Sequence, residues 1–219
     1  MSSYGFIPFI TSFTPFASRR ICDQIAISIA YAKQNVKIIG SDPGISAEFN
    51  GGTHMSMEDI GVLRSIPELV IYEPVDVAQF KQALPQIVAY EGPVYIRMFR
   101  KTIDDVFTDA NYKFDLFGAD CIQEGTAVTI FCSGIMVQET MKANEILKQE
   151  GIDAEIINIH TIKPIDRDAV VASAKKTGAV VVAENHNVIG GLTSAVCEGL
   201  MEEYPVPLRA VGVKDRFGQ

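Results

Sequence analysis

The residues best equipped for chemistry lie in one long connection, Ser41-Asp42-Pro43-Gly44-Ile45-Ser46-Ala47-Glu48-Phe49-Asn50-Gly51-Gly52-Thr53-His54. A strand-to-helix connection usually takes about 2 to 6 residues, so this one is long enough to fold over a ligand. Asp42, Asn50 and His54 offer a carboxylate, an amide and an imidazole, and the glycines free the backbone for close approach. Turns made by Asp42 and Asn50, with His54 capping the next helix, are the structural alternative. Phe13 and Phe16 stand three apart at a helix start. That spacing turns both rings to one side, where they would either stack on a flat heteroaromatic ligand or fill a core. Arg100 follows an apolar run and can grip a phosphate or carboxylate, or else remain a hydrated surface charge.

These residues can cooperate only if the elements around them bring them together. Short β-branched runs alternate with helical patterns, the mark of parallel sheets built from strand-helix-strand units. Strands are predicted at 6–10, 36–40, 69–73, 94–99, 127–132, 154–159, 179–184 and 208–213, with helices at 15–33, 56–64, 76–89, 136–150, 166–176 and 192–204. Pro15 suits a first helical turn, whereas Pro85 should kink or shorten its helix. Between Lys101 and Gly118 the periodicity gives way to Asp104, Asp105, Asp109, Asn111 and Asp115 with aromatic residues between them. The expected fold is therefore α/β, two small domains over 1–101 and 118–219 joined by a linker over 102–117, each a mostly parallel sheet flanked by helices. In open parallel sheets ligands bind beyond the carboxyl ends of the strands. Three strands would then deliver an aromatic pair, a polar loop and a cation to one edge.

Composition narrows the possible functions. The excess of 27 acidic over 19 basic residues, a net charge of −8, and the scatter of the basic residues argue against a nucleic-acid partner. No apolar run approaches the roughly 18 residues of a membrane helix, and Met1-Ser2-Ser3-Tyr4 is not a cationic leader, so a cytoplasmic location is expected. Cys22, Cys121, Cys132 and Cys197 stand alone, and His54, His160 and His186 are far apart, a pattern that supports no metal site. The loops 160–166 and 184–191 read as structural, the first ending in a helix cap at Asp166.

Several runs, taken in order, resemble one family. They are Phe16-Ala17-Ser18-Arg19-Arg20 with Asp23-Gln24, Gly51-Gly52-Thr53-His54, Arg64-Ser65-Ile66-Pro67, Gly92-Pro93-Val94-Tyr95-Ile96-Arg97, His160-Thr161-Ile162-Lys163-Pro164 and Glu184-Asn185-His186-Asn187. The chain is similar to the C-terminal half of transketolase, in particular the small subunit of split bacterial transketolases. By that resemblance 1–101 is part of a pyrimidine-binding domain and 118–219 the family's C-terminal domain. The implied cofactor is thiamine diphosphate, with Phe13 and Phe16 around its aminopyrimidine ring and Arg19 nearby. His54 matches the histidine that contacts the reacting end of the sugar, and Arg100 the arginine that holds the sugar phosphate.

Two positions depart from the family pattern. Asp42 stands where a histidine is usual and Asn50 where an aspartate is usual. An ionised aspartate cannot donate a proton as histidine can, so donor recognition is expected to differ, toward a branched or modified sugar phosphate such as apulose 4-phosphate. The resemblance also implies that the chain begins after the glutamate that activates the cofactor and stops short of the last helix. It carries no Gly-Asp-Gly motif, which assigns the diphosphate and Mg2+ to an N-terminal transketolase subunit. The expectation is transfer of a two-carbon ketol unit within a homodimer or heterotetramer, with the isolated chain inactive. A non-catalytic fragment, a deoxyxylulose phosphate synthase and a 2-oxoacid dehydrogenase β-like chain are the alternatives.

Overall fold

A computed structural model describes residues 1–218. The first half contains β1 (Phe9–Phe13), α1 (Thr14–Ala17), β2 (Lys37–Ser41), α2 (Asp59–Arg64), β3 (Val70–Tyr72), α3 (Val77–Ala89) and β4 (Val94–Met98). The second contains β5 (Asp120–Gln123), β6 (Val128–Cys132), α4 (Met136–Gln149), β7 (Ala154–Asn158), β8 (Thr161–Lys163), α5 (Arg167–Thr177), β9 (Val180–Asn187), α6 (Leu192–Glu203) and β10 (Leu208–Val213).

Two five-stranded sheets result, in the orders β1-β2-β4-β3-β8 and β10-β9-β6-β7-β5. Each is parallel apart from one short antiparallel edge strand, β8 in the first and β5 in the second. Periodicity foresaw neither β5 nor β8, because three or four residues on a sheet edge leave almost no alternation to read. β8 also crosses between the halves, since Ile71 pairs with Lys163 and Tyr72 with Thr161. The largest apolar cluster follows that crossing, joining Ile38, Leu63, Ile71 and Tyr95 to Phe131, Ile162, Val182 and Leu192. The segment between the sheets is tied down as well. Asp76, which caps α3, accepts the backbone N–H of Val106 and Phe107, and Gln82 and Gln86 bond the backbone of Phe114 and Leu116.

Four expected elements differ, the simplest being the strand expected over 179–184, which runs on as β9 to Asn187 and takes in the start of the segment read as a loop, because Val213 of β10 pairs with Asn187 there. The first strand lies at Phe9–Phe13, not 6–10, because Pro8 has no N–H to give a ladder and instead accepts from Lys37. The helix expected over 15–33 stops after Ala17, where Ser18 turns its hydroxyl back to the Thr14 carbonyl (2.6 Å) and takes a non-helical backbone conformation. A 3₁₀ turn, Arg19–Ile21, and a π-helix, Gln24–Tyr31, carry the rest. The next helix begins at Asp59 rather than Ser56, whose carbonyl accepts from Gly44. By contrast α3 runs through Pro85, which sits with Lys81 on the exposed face, where water can take the carbonyl that proline leaves free. Among the described residues no helix is long and apolar enough to cross a membrane.

Candidate active site

The strand register places the chemistry. Phe13 pairs with Ser41 and Ser41 with Met98, so β1, β2 and β4 end side by side, and Phe13, Asp42 and Arg100 leave the sheet at one edge. The Asp42 carboxylate accepts from the Arg100 backbone N–H (3.2 Å) and bonds the Arg100 Nε in an ion pair. Asp42 is almost wholly buried, while more than half of the Arg100 side chain is exposed (57%). The guanidinium lies over Phe13, 4.6 Å from the ring centroid. Phe13 and Phe16 each meet His54 edge to face, with centroids at 4.9 and 5.0 Å. His54 Nδ1 is 2.9 Å from the Thr53 hydroxyl, which leaves Nε2 as the ring's open nitrogen.

Arg19 forms an ion pair with Glu58, and its other terminal nitrogen reaches the Thr53 carbonyl at 3.5 Å. Arg20 lies 3.9 Å from the Phe16 ring centroid. Asn50, at the end of a 3₁₀ stretch, Gly44–Asn50, is exposed and makes no side-chain hydrogen bond among the described residues. The structure thus gathers Phe13, Phe16, Asp42, His54 and Arg100, sets Arg19 at their margin, and leaves Asn50 outside. His54 is not the cap of α2, whose N-cap residue is Glu58.

The second half of the chain holds the site loop. Asn185 Oδ1 accepts from the Ile45 N–H (2.9 Å) and its Nδ2 donates to the Pro43 carbonyl (3.0 Å). Between them Gly44 has φ +61°, and a Cβ there would lie 2.2 Å from Asn185 Oδ1. Only glycine permits both this conformation and this approach.

Beneath the loop is a charged cluster that motif reading passed over. Arg97 on β4 is fully buried and donates to Asp59 (2.8 and 3.2 Å), to Glu73 (2.5 Å) and to the Asn185 carbonyl (2.7 Å). Tyr95 donates to Asp59 and Ser133 to Glu73. Burial by itself would raise the Asp59 pKa, but Arg97, His186 and the hydrogen bonds outweigh it and hold the carboxyl below its usual range. The available signal was an arginine inside an otherwise apolar strand, which demands buried partners. Elsewhere, Cys121, Glu124 and Glu155 come within metal-ligand distance of one another, but both carboxylates already bind Lys176.

Comparison with known proteins places this geometry. The transketolase pyrimidine-binding domain matches residues 1–104 and the transketolase C-terminal domain residues 118–219. The 6-deoxy-6-sulfo-D-fructose transketolase subunit SqwH of Clostridium sp. (strain MSTE9) is 56% identical over the whole chain and 68% of its own length. One of the subunits of the apulose-4-phosphate transketolase of Phocaeicola vulgatus is 36% identical over 91% of the chain and 64% of its own length. The chain therefore spans about two thirds of these relatives. A solved split-gene transketolase, described as an inactive β4 tetramer, superposes on the full chain with a TM-score of 0.92 at 41% identity, over 70% of its own length. With its two sheets matched by two successive family domains, the chain belongs to the transketolase family and corresponds to the C-terminal part of that enzyme.

Proposed function

We propose that this chain supplies the pyrimidine-binding side of a two-chain active site that moves a two-carbon ketol unit from an anionic ketose to an aldose. The observation that carries the reading is the cluster of Phe13, Phe16 and His54 set against Arg100 at the open end of one parallel sheet. The two half-buried rings suit the aminopyrimidine of thiamine diphosphate, whose thiazolium supplies an electron sink when bound. The diphosphate and Mg2+ are assigned to an N-terminal partner subunit.

The chain's own residues bind and orient. Phe13 and Phe16 exclude water around a flat ring, and Arg19, fixed by Glu58, borders it. His54 has its Nδ1 engaged by Thr53 and offers Nε2 to the reacting hydroxyls. Arg100 grips the anionic tail of the sugar, positioned by Asp42, while Asn50, exposed and outside the cluster, is given no role in it. The favoured donor is a ketose ending in a sulfonate, on the strength of the 56% identity to the sulfofructose subunit. The branched apulose phosphate is second, on 36% identity. The domain division is 1–101, 102–117 and 118–219, in an assembly with a partner subunit, a homodimer or heterotetramer, in the cytoplasm.

Co-expression with an N-terminal, diphosphate-binding transketolase subunit, followed by addition of thiamine diphosphate, Mg2+ and paired ketose and aldose substrates, tests the proposal. Ketol transfer by the complex and none by the isolated chain is expected. Transfer by the isolated chain would overturn the two-chain site, and a folded, cofactor-loaded complex without transfer would overturn the reaction.

A further inference from the structure

We infer that Asp42 is a specificity residue that tunes the anion site at Arg100 for a singly charged sulfonate over a doubly charged phosphate. The inference rests on the reading of Arg100 as the holder of the sugar's anionic tail.

The charge arrangement at the mouth of the site supports it. Three of the cations there are already balanced, Arg100 by Asp42, Arg19 by Glu58 and Lys101 by Glu48. Arg20 lies on Phe16 without a carboxylate partner among the described residues. The mouth therefore offers little net positive charge. Asp42 differs from the other two carboxylates in its burial, with 5% of its side chain exposed against 33% for Glu58 and 54% for Glu48. Water screens those two pairs, while Asp42 acts across one guanidinium through a much drier path.

Geometry leaves the outer side of Arg100 for a ligand. Asp42 takes Nε, Phe13 covers one face of the guanidinium, and the side chain remains 57% exposed. A sulfonate brings three acceptor oxygens and one charge, which a single guanidinium balances. A phosphate ester brings similar oxygens and a charge of about −1.5 to −2 near neutral pH. Its second charge finds the Asp42 carboxylate on the far side of the same guanidinium, a like-charge juxtaposition that counts against binding. Asp42 is also built to stay where it is. It has φ +53°, a conformation that aspartate and asparagine tolerate better than other side chains, and its N–H donates to the Met98 carbonyl (2.9 Å).

The test uses the assembled complex with thiamine diphosphate and Mg2+, and two donors, 6-deoxy-6-sulfofructose and fructose 6-phosphate. The wild-type complex should favour the sulfonate in kcat/KM. Asp42→Asn keeps the size and the tolerated backbone conformation, and should lower the sulfonate-to-phosphate ratio about tenfold, mainly through KM. An unchanged ratio, with both donors losing equally, would make Asp42 merely structural and overturn the inference while ketol transfer stands. The wild-type complex gives a second readout that does not depend on folding of the variant. Between pH 7.5 and 5.5 the phosphate takes up its second proton, so its KM should fall about sixfold relative to that of the sulfonate, which carries one charge throughout. A constant KM ratio across that range overturns the inference. If neither donor supports transfer, the proposed function fails separately, and calorimetric titration of the complex with each sugar still decides, because equal affinities refute discrimination by charge.

Discussion

Strand β4 carries Arg97, and Arg100 follows three residues later, yet the two are used in opposite ways. Arg97 points into the junction between the two sheets, with no exposed surface and with hydrogen bonds to α2, to the end of β3 and to the second half of the chain. Arg100 stands past the strand's end, balanced by one carboxylate and open to solvent over more than half of its side chain. The same side chain is a tie in the first position and a hand in the second. The difference is depth: a buried guanidinium must commit its donors to the protein, whereas one at the carboxyl end of a parallel strand keeps some for a ligand.

The most direct way to break this comparison is to remove Arg97. Arg97→Met fills the space but leaves Asp59 and Glu73 buried without their cation. Stranding a buried charge costs about 3 to 5 kcal/mol, so the melting temperature should fall by on the order of 10 °C. A variant that melts within a degree or two of wild type would mean that the cluster carries no stability. Then burial would not separate the two arginines.

His54→Ala tests the open end of the sheet. Loss of a group that meets developing charge typically costs about 10²- to 10³-fold in turnover, and here the melting temperature should change little, because His54 rests against two half-buried rings and bonds only the exposed hydroxyl of its neighbour Thr53. A complex that keeps its turnover would reduce the aromatic cluster to packing. Arg100→Ala comes next in size. A charge-assisted contact to an anionic tail is worth about 1.5 to 3 kcal/mol, so KM for ketoses with such a tail should rise roughly 10- to 100-fold, with little change for neutral ketoses. Equal losses for both classes, with a melting temperature as low as that of Arg97→Met, would erase the distinction between the two positions.

How much of this could be read from the amino-acid sequence follows from the same contrast. The candidate-site loop was legible because its length exceeds what a strand-to-helix connection needs and it gathers Asp, Asn and His side chains, and the α/β class was legible because strand and helix periods alternate. The aromatic pair and Arg100 were legible as positions, since each follows a strand. Arg97 was not singled out, because a charge inside an apolar run is explained only by partners 24, 38 and 88 residues away in the chain. The hold of Asn185 on Gly44 was invisible for the same reason, its partners being 140 and 142 residues apart. The break after Ala17 was missed because a hydroxyl that bonds back to its own turn leaves the apolar pattern of Ile21, Ile25 and Ile29 intact.

The smallest effect expected concerns a partly buried acid that has no arginine. Asp120 accepts from Gln79 (2.9 Å), Asn158 (3.1 Å) and Tyr112 (3.2 Å), and burial pushes its pKa up to about 6 despite those bonds. His160 Nε2 faces it at 3.7 Å and has no hydrogen-bond partner among the described residues. The Thr161 hydroxyl donates to the Leu116 carbonyl, so His160 Nδ1 must supply the proton in its bond to Thr161, and Nε2 carries a lone pair toward a carboxylate. Burial pulls the His160 pKa down to about 4. The two groups tilt stability in opposite directions. The raised acid favours the fold below about pH 4 and loses that advantage as pH rises through about 6, while the lowered histidine favours the fold above about 6.5 and loses its advantage as pH falls toward 4. Asp120→Asn removes the first slope, and its Oδ1 can stand in for the oxygen that accepts from Gln79, Tyr112 and Asn158. The variant should therefore be more stable than wild type by about 1 to 3 kcal/mol at pH 7, and should lose that lead on acidification toward about pH 4.5. Thermal melts of both proteins across that range check the sign. Parallel profiles would mean that Asp120 titrates as an ordinary acid, and that a partly buried carboxylate here can do without the arginine that Asp59 has.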